Sequence, residues 1–178
     1  MQTKPKDPLL GTATVLVVLL RIIIIFAMVM IGIGIGAMFS VSYDEVMKQI
    51  AAAGAPRQAF GFLVVAMALI MVLLALAHEF FSQLAGIIGS VGEGEPFRAE
   101  NADRLSKMGW ISVTVHGLAL ILAAFSKWFK PFLEKAGHDA EIGFNVELTG
   151  ILLTLILFIL ARVFRRGAEM REELEGTV

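Results

Sequence analysis

Apolar residues in this chain are grouped into four long runs rather than alternating with polar residues. Ile22–Ser42 has 21 residues without a charge, Ala59–Ala77 and Met108–Ser126 have 19 each, and Leu148–Ala161 has 14. A helix crosses the hydrocarbon core of a bilayer with about 20 apolar residues, so three runs are long enough as they stand. The fourth reaches that length if Arg162 extends its charged end toward the headgroups. The pattern therefore predicts four transmembrane helices.

The predicted fold is all-α: a polytopic membrane protein with four transmembrane helices in an antiparallel bundle, a short outer amphipathic helix and cytoplasmic helix extensions. The chain forms one domain, residues 1–178, with a cytoplasmic C-terminal tail at 165–178. We place the spans at about 14–42, 57–81, 104–126 and 147–166.

Local signals suggest where helices begin and end. A single helix from Leu9 to Ser42 would be roughly 50 Å long, so we favour an interfacial segment at Leu9–Leu20 over one strongly tilted helix. Ser42 and Glu45 form a capping-box pattern, which predicts the short outer helix, ending at about Ala53.

Proline and glycine mark the connections. We expect a glycine-rich connection at Gln83–Gly94, with Pro96 as the first residue of the next helix. Pro131, Gly137 and Gly143 should break the second outer connection. The last helix should continue beyond the membrane as far as about Leu174.

Composition agrees with a membrane protein and excludes several functions. Hydrophobic residues make up 57% of the chain, charged residues 17%, and the net charge is −1. This balance provides no basic footprint, so direct nucleic-acid binding is not expected. Cysteine is absent, which excludes disulfides, thiolate metal sites and thiol nucleophiles. The N-terminal region resembles a signal peptide, but Arg21 interrupts its apolar stretch, so we expect an uncleaved first helix.

The distribution of Lys and Arg predicts the orientation. Nine such residues flank the spans on the side of the two termini, and five flank them on the other side. Because cytoplasmic loops are enriched in Lys and Arg, we expect both termini in the cytoplasm. Trp128, Phe129 and Phe132 would then lie in the outer aromatic belt, and Trp110 near the inner one.

Glycines in the first span suggest helix packing. Gly32 and Gly36 have the GxxxG spacing, which permits close approach of two helices in lipid. We favour packing within one chain, and self-association into a homo-oligomer is the alternative.

Arg21 and Glu79 are the charges of greatest interest within the spans. Counted from Phe39 and Phe60 at the outer ends of the first hairpin, they lie at nearly equal depth. Two independent side chains reaching the headgroups and a structural ion pair are the main alternatives, and a proton or ion pathway is the third.

Chemistry typical of an enzyme was not found. His116 stands near the middle of the third span, where hydrogen bonding to a neighbouring helix is the commoner role for a lone histidine. His78-Glu79 begins an HExxH pattern whose second histidine is missing, which excludes that type of zinc protease. We therefore expect no catalytic residues, no metal site and no cofactor.

Two segments of the chain carry distinctive motifs. The first has a G-x-PF…N…RL…G pattern, here Gly94, Pro96, Phe97, Asn101, Arg104, Leu105 and Gly109. The second lies at the end of the chain and includes Phe164, Arg165, Gly167, Arg171, Glu172 and Glu173. Both segments resemble a bacterial membrane family catalogued as domain-of-unknown-function family 2975. Met170 stands where that family usually has leucine, and Gly176 where an apolar residue is common.

The resemblance implies a four-helix integral membrane protein without an established reaction. Members are often encoded beside a small helix-turn-helix regulator, which implies a membrane partner for such a regulator. We expect the two matching segments to pack together on the cytoplasmic side, with Phe97 and Leu105 as apolar anchors.

Three functional hypotheses follow. The first is a non-enzymatic sensory, regulatory or docking protein with a protein partner on its cytoplasmic side. The second is a small oligomeric transporter or channel with Arg21, Glu79 and His116 along its route. The third is an accessory subunit of a larger membrane complex.

Overall fold

The computed structural model describes residues 8–40, 42–135 and 148–175. These residues form four long helices and one short one: α1 Pro8–Ser40, α2 Tyr43–Ala52, α3 Ala59–Gly92, α4 Ala99–Lys135 and α5 Leu148–Glu175. The long helices are apolar enough to cross a membrane, and only 11–28% of each most apolar stretch is buried. Helices that are apolar yet exposed around most of their circumference are suited to lipid rather than water. The predicted all-α, four-span helical bundle is confirmed.

The helices are longer than predicted. α1 is continuous through Arg21, so Leu9–Leu20 does not form a separate helix; its place at the membrane interface stays a prediction. α3 continues as far as Gly92, and the connection predicted at Gln83–Gly94 is therefore mostly helical. Glycine lowers helix stability by only about 1 kcal/mol, an amount that side-chain packing readily overcomes.

The proline predictions also need correction. Pro96 lies in a turn, and α4 begins three residues later at Ala99. Pro131 lies inside α4, which continues to Lys135, because membrane helices tolerate proline where neighbours satisfy the freed carbonyl. The predicted breaks at Gly137 and Gly143, like the tail residues 176–178, lie outside the described residues.

The short outer helix is confirmed, although its start differs in detail. Ser42 precedes α2, but within the described residues its side chain makes no capping hydrogen bond. The C-terminal end is better defined, because Gly54 has a positive φ of 67°. The amides of Gly54 and Ala55 donate to the carbonyls of Ala51 and Ile50, which is a Schellman motif.

The helices divide into two compact units. One contains the described residues up to Ile24, together with Leu76–Thr114 and those from Leu148 onward. Its core contains Leu105, Met108, Leu157 and Ala161, with Phe80, Leu84, Ile87 and Phe164 packed around them.

The second unit contains Ile25–Ala75 and the described residues from Val115 to Lys135. Aromatic rings cluster within it: the Trp128 ring lies 5.0 Å from that of Phe62 and 5.5 Å from that of Phe132. Phe60 lies in edge contact with both Phe39 and Tyr43.

Candidate functional site: the junction of α3 and α4 with the end of α5

A tight turn begins the connection from α3 to α4. Gly94 has a positive φ of 86°, and its amide donates to the carbonyl of Val91 while that of Glu95 donates to Ser90. This is a second Schellman motif, and the left-handed conformation explains why the position holds glycine. The turn sets the direction in which Pro96 and Phe97 leave α3.

Asn101 fixes the other side of the connection. Its side chain is fully buried, and its amide donates to the Ser90 hydroxyl (2.6 Å) and to the Pro96 carbonyl (2.9 Å). Its side-chain oxygen accepts a hydrogen bond from Arg104 at 3.1 Å. One amide therefore links the end of α3, the connecting turn and the first turns of α4.

Phe97 joins this connection to α5. A methyl group added at Gly167 would lie 2.6 Å from the Phe97 ring, so the ring rests directly on the glycine. The Phe164 ring packs on Phe97 at a centroid distance of 5.3 Å. Leu105 is buried in the same unit, as expected for the second anchor. The predicted packing of the two segments is confirmed.

Two further glycines accommodate a neighbouring side chain. A methyl group at Gly86 would lie 2.7 Å from the Arg104 guanidinium, which therefore lies against α3. At Gly109 it would lie 2.9 Å from the Phe158 ring. The sequence interpretation missed Gly86, because the residue was assigned to a connection rather than to a helix face.

Ion pairs surround this packed centre. Arg165 pairs with Asp103 at 3.0 Å, Arg98 with Glu93 at 2.8 Å, and Arg171 approaches Glu95 at 3.9 Å. Such exposed pairs contribute only about 0–1 kcal/mol each, so the packed centre contributes more to stability. Glu172 and Glu173 are exposed farther along α5. We call the assembly of residues 90–105 and 161–174 the junction site.

Glu95 should make the junction pH-sensitive. The hydrogen bond from Arg98 holds the pKa of Glu95 below its ordinary value of 4.5. A carboxylate with a lowered folded-state pKa stabilises the protein above its unfolded-state pKa, and this contribution is lost as the pH falls through the folded-state value. We expect thermal stability in detergent to fall more steeply below about pH 4.5 in the native protein than in Glu95→Gln. Identical pH profiles would contradict this role.

The structure does not pair Arg21 with Glu79. Glu79 accepts hydrogen bonds from Lys107 on α4 and from Gln83, each at 2.6 Å, while Arg21 donates to His78 at 3.4 Å. Neighbouring residues on a helix point about 100° apart, so equal depth did not ensure a shared face. The predicted Arg21–Glu79 ion pair is wrong.

We expect Glu79 and Lys107 to be energetically coupled. In a double-mutant cycle of Glu79→Gln and Lys107→Gln, the two losses should overlap by about 0.5–1 kcal/mol, since the pair is partly exposed. Thermal unfolding in detergent measures the effect. Glu79→Gln with Arg21→Gln is the control and should be additive, so coupling there but not at Lys107 would contradict the assignment.

The remaining predicted residues lie outside the junction site. His116 is half-buried on α4. A methyl group added at Gly32 would lie at ordinary contact distance (3.7 Å) from the Met71 side chain, and no described atom lies within 4 Å of one placed at Gly36. A methyl group at Gly34 would lie closer, 3.4 Å from the Met67 side chain. Helix packing through the GxxxG pair, within the chain or between copies, stays a prediction. Within the described residues, no group of three or more metal-ligating side chains is present.

Comparison with known proteins gives one family match. The family model described as "Protein of unknown function (DUF2975)" matches residues 42–178, which includes both segments of the junction site. Neither the curated proteins nor the solved structures contain a match.

Proposed function

The chain belongs to the DUF2975 family, and from the geometry of the junction site we propose that it is a non-enzymatic membrane protein that docks a partner protein there. The observation that carries the proposal is that packed residues of the junction site support a set of exposed charged side chains. Asn101 and Phe97 hold the backbone, while Glu100 and Asp103 expose 71% and 77% of their side chains. Because exposed charges add little to folding, their placement on a fixed support favours recognition.

Apolar residues lie beside these charges. Met170 and Leu174, one helical turn apart on α5, are 59% and 74% exposed, and Phe97 is 44% exposed. Exposed apolar residues flanked by charges are typical of protein interfaces. The resemblance suggests a helix-turn-helix regulator as the partner, held at the membrane through protein contacts rather than through nucleic acid.

The proposal requires the junction site to face the cytoplasm. The excess of Lys and Arg on the side of the termini supports this orientation in a bacterial inner membrane. The chain has no cysteine, so single cysteines at Ala52 and Ala99, both exposed, can be labelled cleanly. An impermeant reagent applied to cells with a permeabilised outer membrane should label Ala52→Cys and not Ala99→Cys. The reverse pattern would overturn the orientation.

A photo-crosslinking residue tests docking directly. Placed at Met170, it should capture a protein partner in cells, and placed at Glu134, an exposed residue of α4 outside the junction site, it should not. Met170→Ser with Leu174→Ser should abolish copurification of that partner and leave thermal stability unchanged, because both residues are exposed. Glu45→Ser with Gln49→Ser is the control, because both residues are exposed one turn apart on α2, outside the junction site, and it should keep the partner. Retention of the partner by the Met170 and Leu174 variant would refute the proposal.

Transport is the second candidate, favoured by the polar network of Glu79, Gln83 and Lys107 within the candidate membrane helices. Charged residues inside spans often mark ion pathways. Reconstitution in liposomes separates the candidates, since a transporter would conduct ions and lose conduction in Glu79→Gln. Function as an accessory subunit would appear instead as stable copurification with other membrane proteins.

A further inference from the structure

A cavity of about 540 Å³ lies beside α2, apart from the junction site. Asp44, Lys48, Met47 and Ile50 line it from the helix, and Arg57 lines it from the segment that leads into α3. This volume lies within the range of about 300–1,000 Å³ that is typical of sites for small ligands.

The walls of the cavity are held in place. The Schellman motif at Gly54 fixes the turn between α2 and Arg57. Ile50 is 8% exposed, and the Tyr43 ring, which also lines the cavity, packs on Phe60 at a centroid distance of 5.1 Å. A shaped cavity of this kind exists before any ligand binds, which limits the ordering that binding requires.

The charges of the cavity are not neutralised by one another. Among the described residues, neither Asp44 nor Arg57 has an ion-pair partner within 4 Å. Lys48 is one turn from Asp44, yet approaches Glu45 instead, at 3.8 Å, with its side chain 76% exposed. Within the described residues, a carboxylate and a guanidinium without an ion pair therefore line one cavity, and a ligand with both an anionic and a cationic group would complement them.

The position of the cavity in the chain favours one such ligand. α1 ends at Ser40 and α3 begins at Ala59, and both are long and apolar enough to cross a membrane, so we expect the segment between them at the level of the lipid headgroups. We propose that this cavity binds the phosphate–ammonium headgroup of an ethanolamine phospholipid. Arg57 and Lys48 hold the phosphate, since guanidinium matches phosphate in a forked geometry. The carboxylate of Asp44 accepts hydrogen bonds from the ammonium group, and Met47 and Ile50 contact the short alkyl link.

The first test uses the full-length protein in detergent, with short-chain phosphatidylethanolamine as the probe. Binding is followed by native mass spectrometry and by the concentration dependence of the thermal midpoint. Phosphatidylcholine, whose quaternary ammonium has no N–H donor for Asp44, should bind about tenfold more weakly, as expected for loss of one charge-assisted hydrogen bond. Equal affinities for the two lipids would overturn the proposal.

Variants assign the binding to this cavity. Arg57→Gln and Asp44→Asn should each weaken binding of phosphatidylethanolamine about tenfold or more, for the same reason. Gln49→Ala, at an exposed residue of α2 that does not line the cavity, should leave binding unchanged. All three residues are exposed, so folding should be preserved, and the thermal midpoint without lipid checks this. Unchanged affinity in both cavity variants would place the lipid elsewhere and overturn the proposal.

Free phosphoethanolamine distinguishes the source of the headgroup. If free phosphoethanolamine binds more weakly than phosphatidylethanolamine, by at least the contribution of the acyl chains to affinity, the result supports a lipid ligand. Equal affinity that is lost in Arg57→Gln would overturn the lipid and assign the cavity to a soluble phosphate–ammonium compound. These outcomes do not depend on the docking of a partner at the junction site.

Discussion

Replacing Asn101 with alanine should lower the free energy of unfolding by about 2–3 kcal/mol. The side chain is fully buried and bonded to the Ser90 hydroxyl, the Pro96 carbonyl and Arg104. Its removal takes one hydrogen bond from the Ser90 hydroxyl on α3 and one from the Pro96 carbonyl in the connecting turn, and buried polar groups that lose a hydrogen bond are expensive to desolvate. Denaturant or thermal unfolding in a single mild detergent measures the loss.

Ser90 provides the internal check. Ser90→Ala removes the bond from Asn101 and the bond to the carbonyl of Ile87, whereas Asn101→Ala removes three hydrogen bonds. Ser90→Ala should therefore destabilise the protein less than Asn101→Ala. The double variant should lose less stability than the sum of the two single losses, because both changes remove the same Asn101–Ser90 hydrogen bond. Gln58→Ala, at an exposed residue outside the junction site, should change the stability by less than about 0.5 kcal/mol. A similar small effect at Asn101 would show that the amide does not hold the connection.

The sequence was sufficient to predict the spans but not the ends of the helices. Runs such as Ala59–Ala77 contain no charge. In the hydrocarbon core, where water is absent, a helix is the simplest structure in which their backbone N–H and C=O groups are all hydrogen-bonded. Gln83–Gly92 was assigned to a connection because its glycines weaken a helix. In the structure this segment packs against α4 through Ser90 and Gly86, and these tertiary contacts outweigh local propensity.

The same distinction explains the error at Arg21. Counting residues gives depth along a helix but not the face on which a side chain lies. Arg21 is eighteen residues from Phe39, and the residue eighteen positions from Phe60 is His78, which is the partner that the structure gives. Lys107 could not be found in this way, because its contact with Glu79 depends on how α3 packs on α4.

The junction residues were identified through the resemblance, whereas their physical roles come from the structure. Gly94 permits a left-handed turn, Asn101 links three segments through hydrogen bonds, and the Phe97 ring packs directly on Gly167. An isolated glycine carries little information in a sequence, since its spacing does not predict which side chain packs against it. The GxxxG pair in α1 has a recognisable spacing, yet no described atom lies within 4 Å of a methyl group placed at Gly36.

Alanine at Gly167 should destabilise the protein, although alanine is the better helix former. The added methyl group would lie 2.6 Å from the Phe97 ring, and Phe164 packs on that ring and limits its movement. Overpacking of this kind costs about 1–3 kcal/mol, against a gain of about 1 kcal/mol from helix propensity. We therefore expect a net loss of roughly 1 kcal/mol in unfolding experiments in detergent.

Gly89→Ala is the matched control, because no described atom lies within 4 Å of a methyl group there, and it should stabilise α3 by up to about 1 kcal/mol. Phe97→Ala provides the rescue: with the ring removed, the change of Gly167 to alanine should no longer be harmful and should become neutral or stabilising. If Gly167→Ala destabilises equally with and without Phe97, the ring is not what the glycine accommodates. If it stabilises the native protein as Gly89→Ala does, α5 does not rest on the connection at this point, and the rigid support proposed for docking is lost with it.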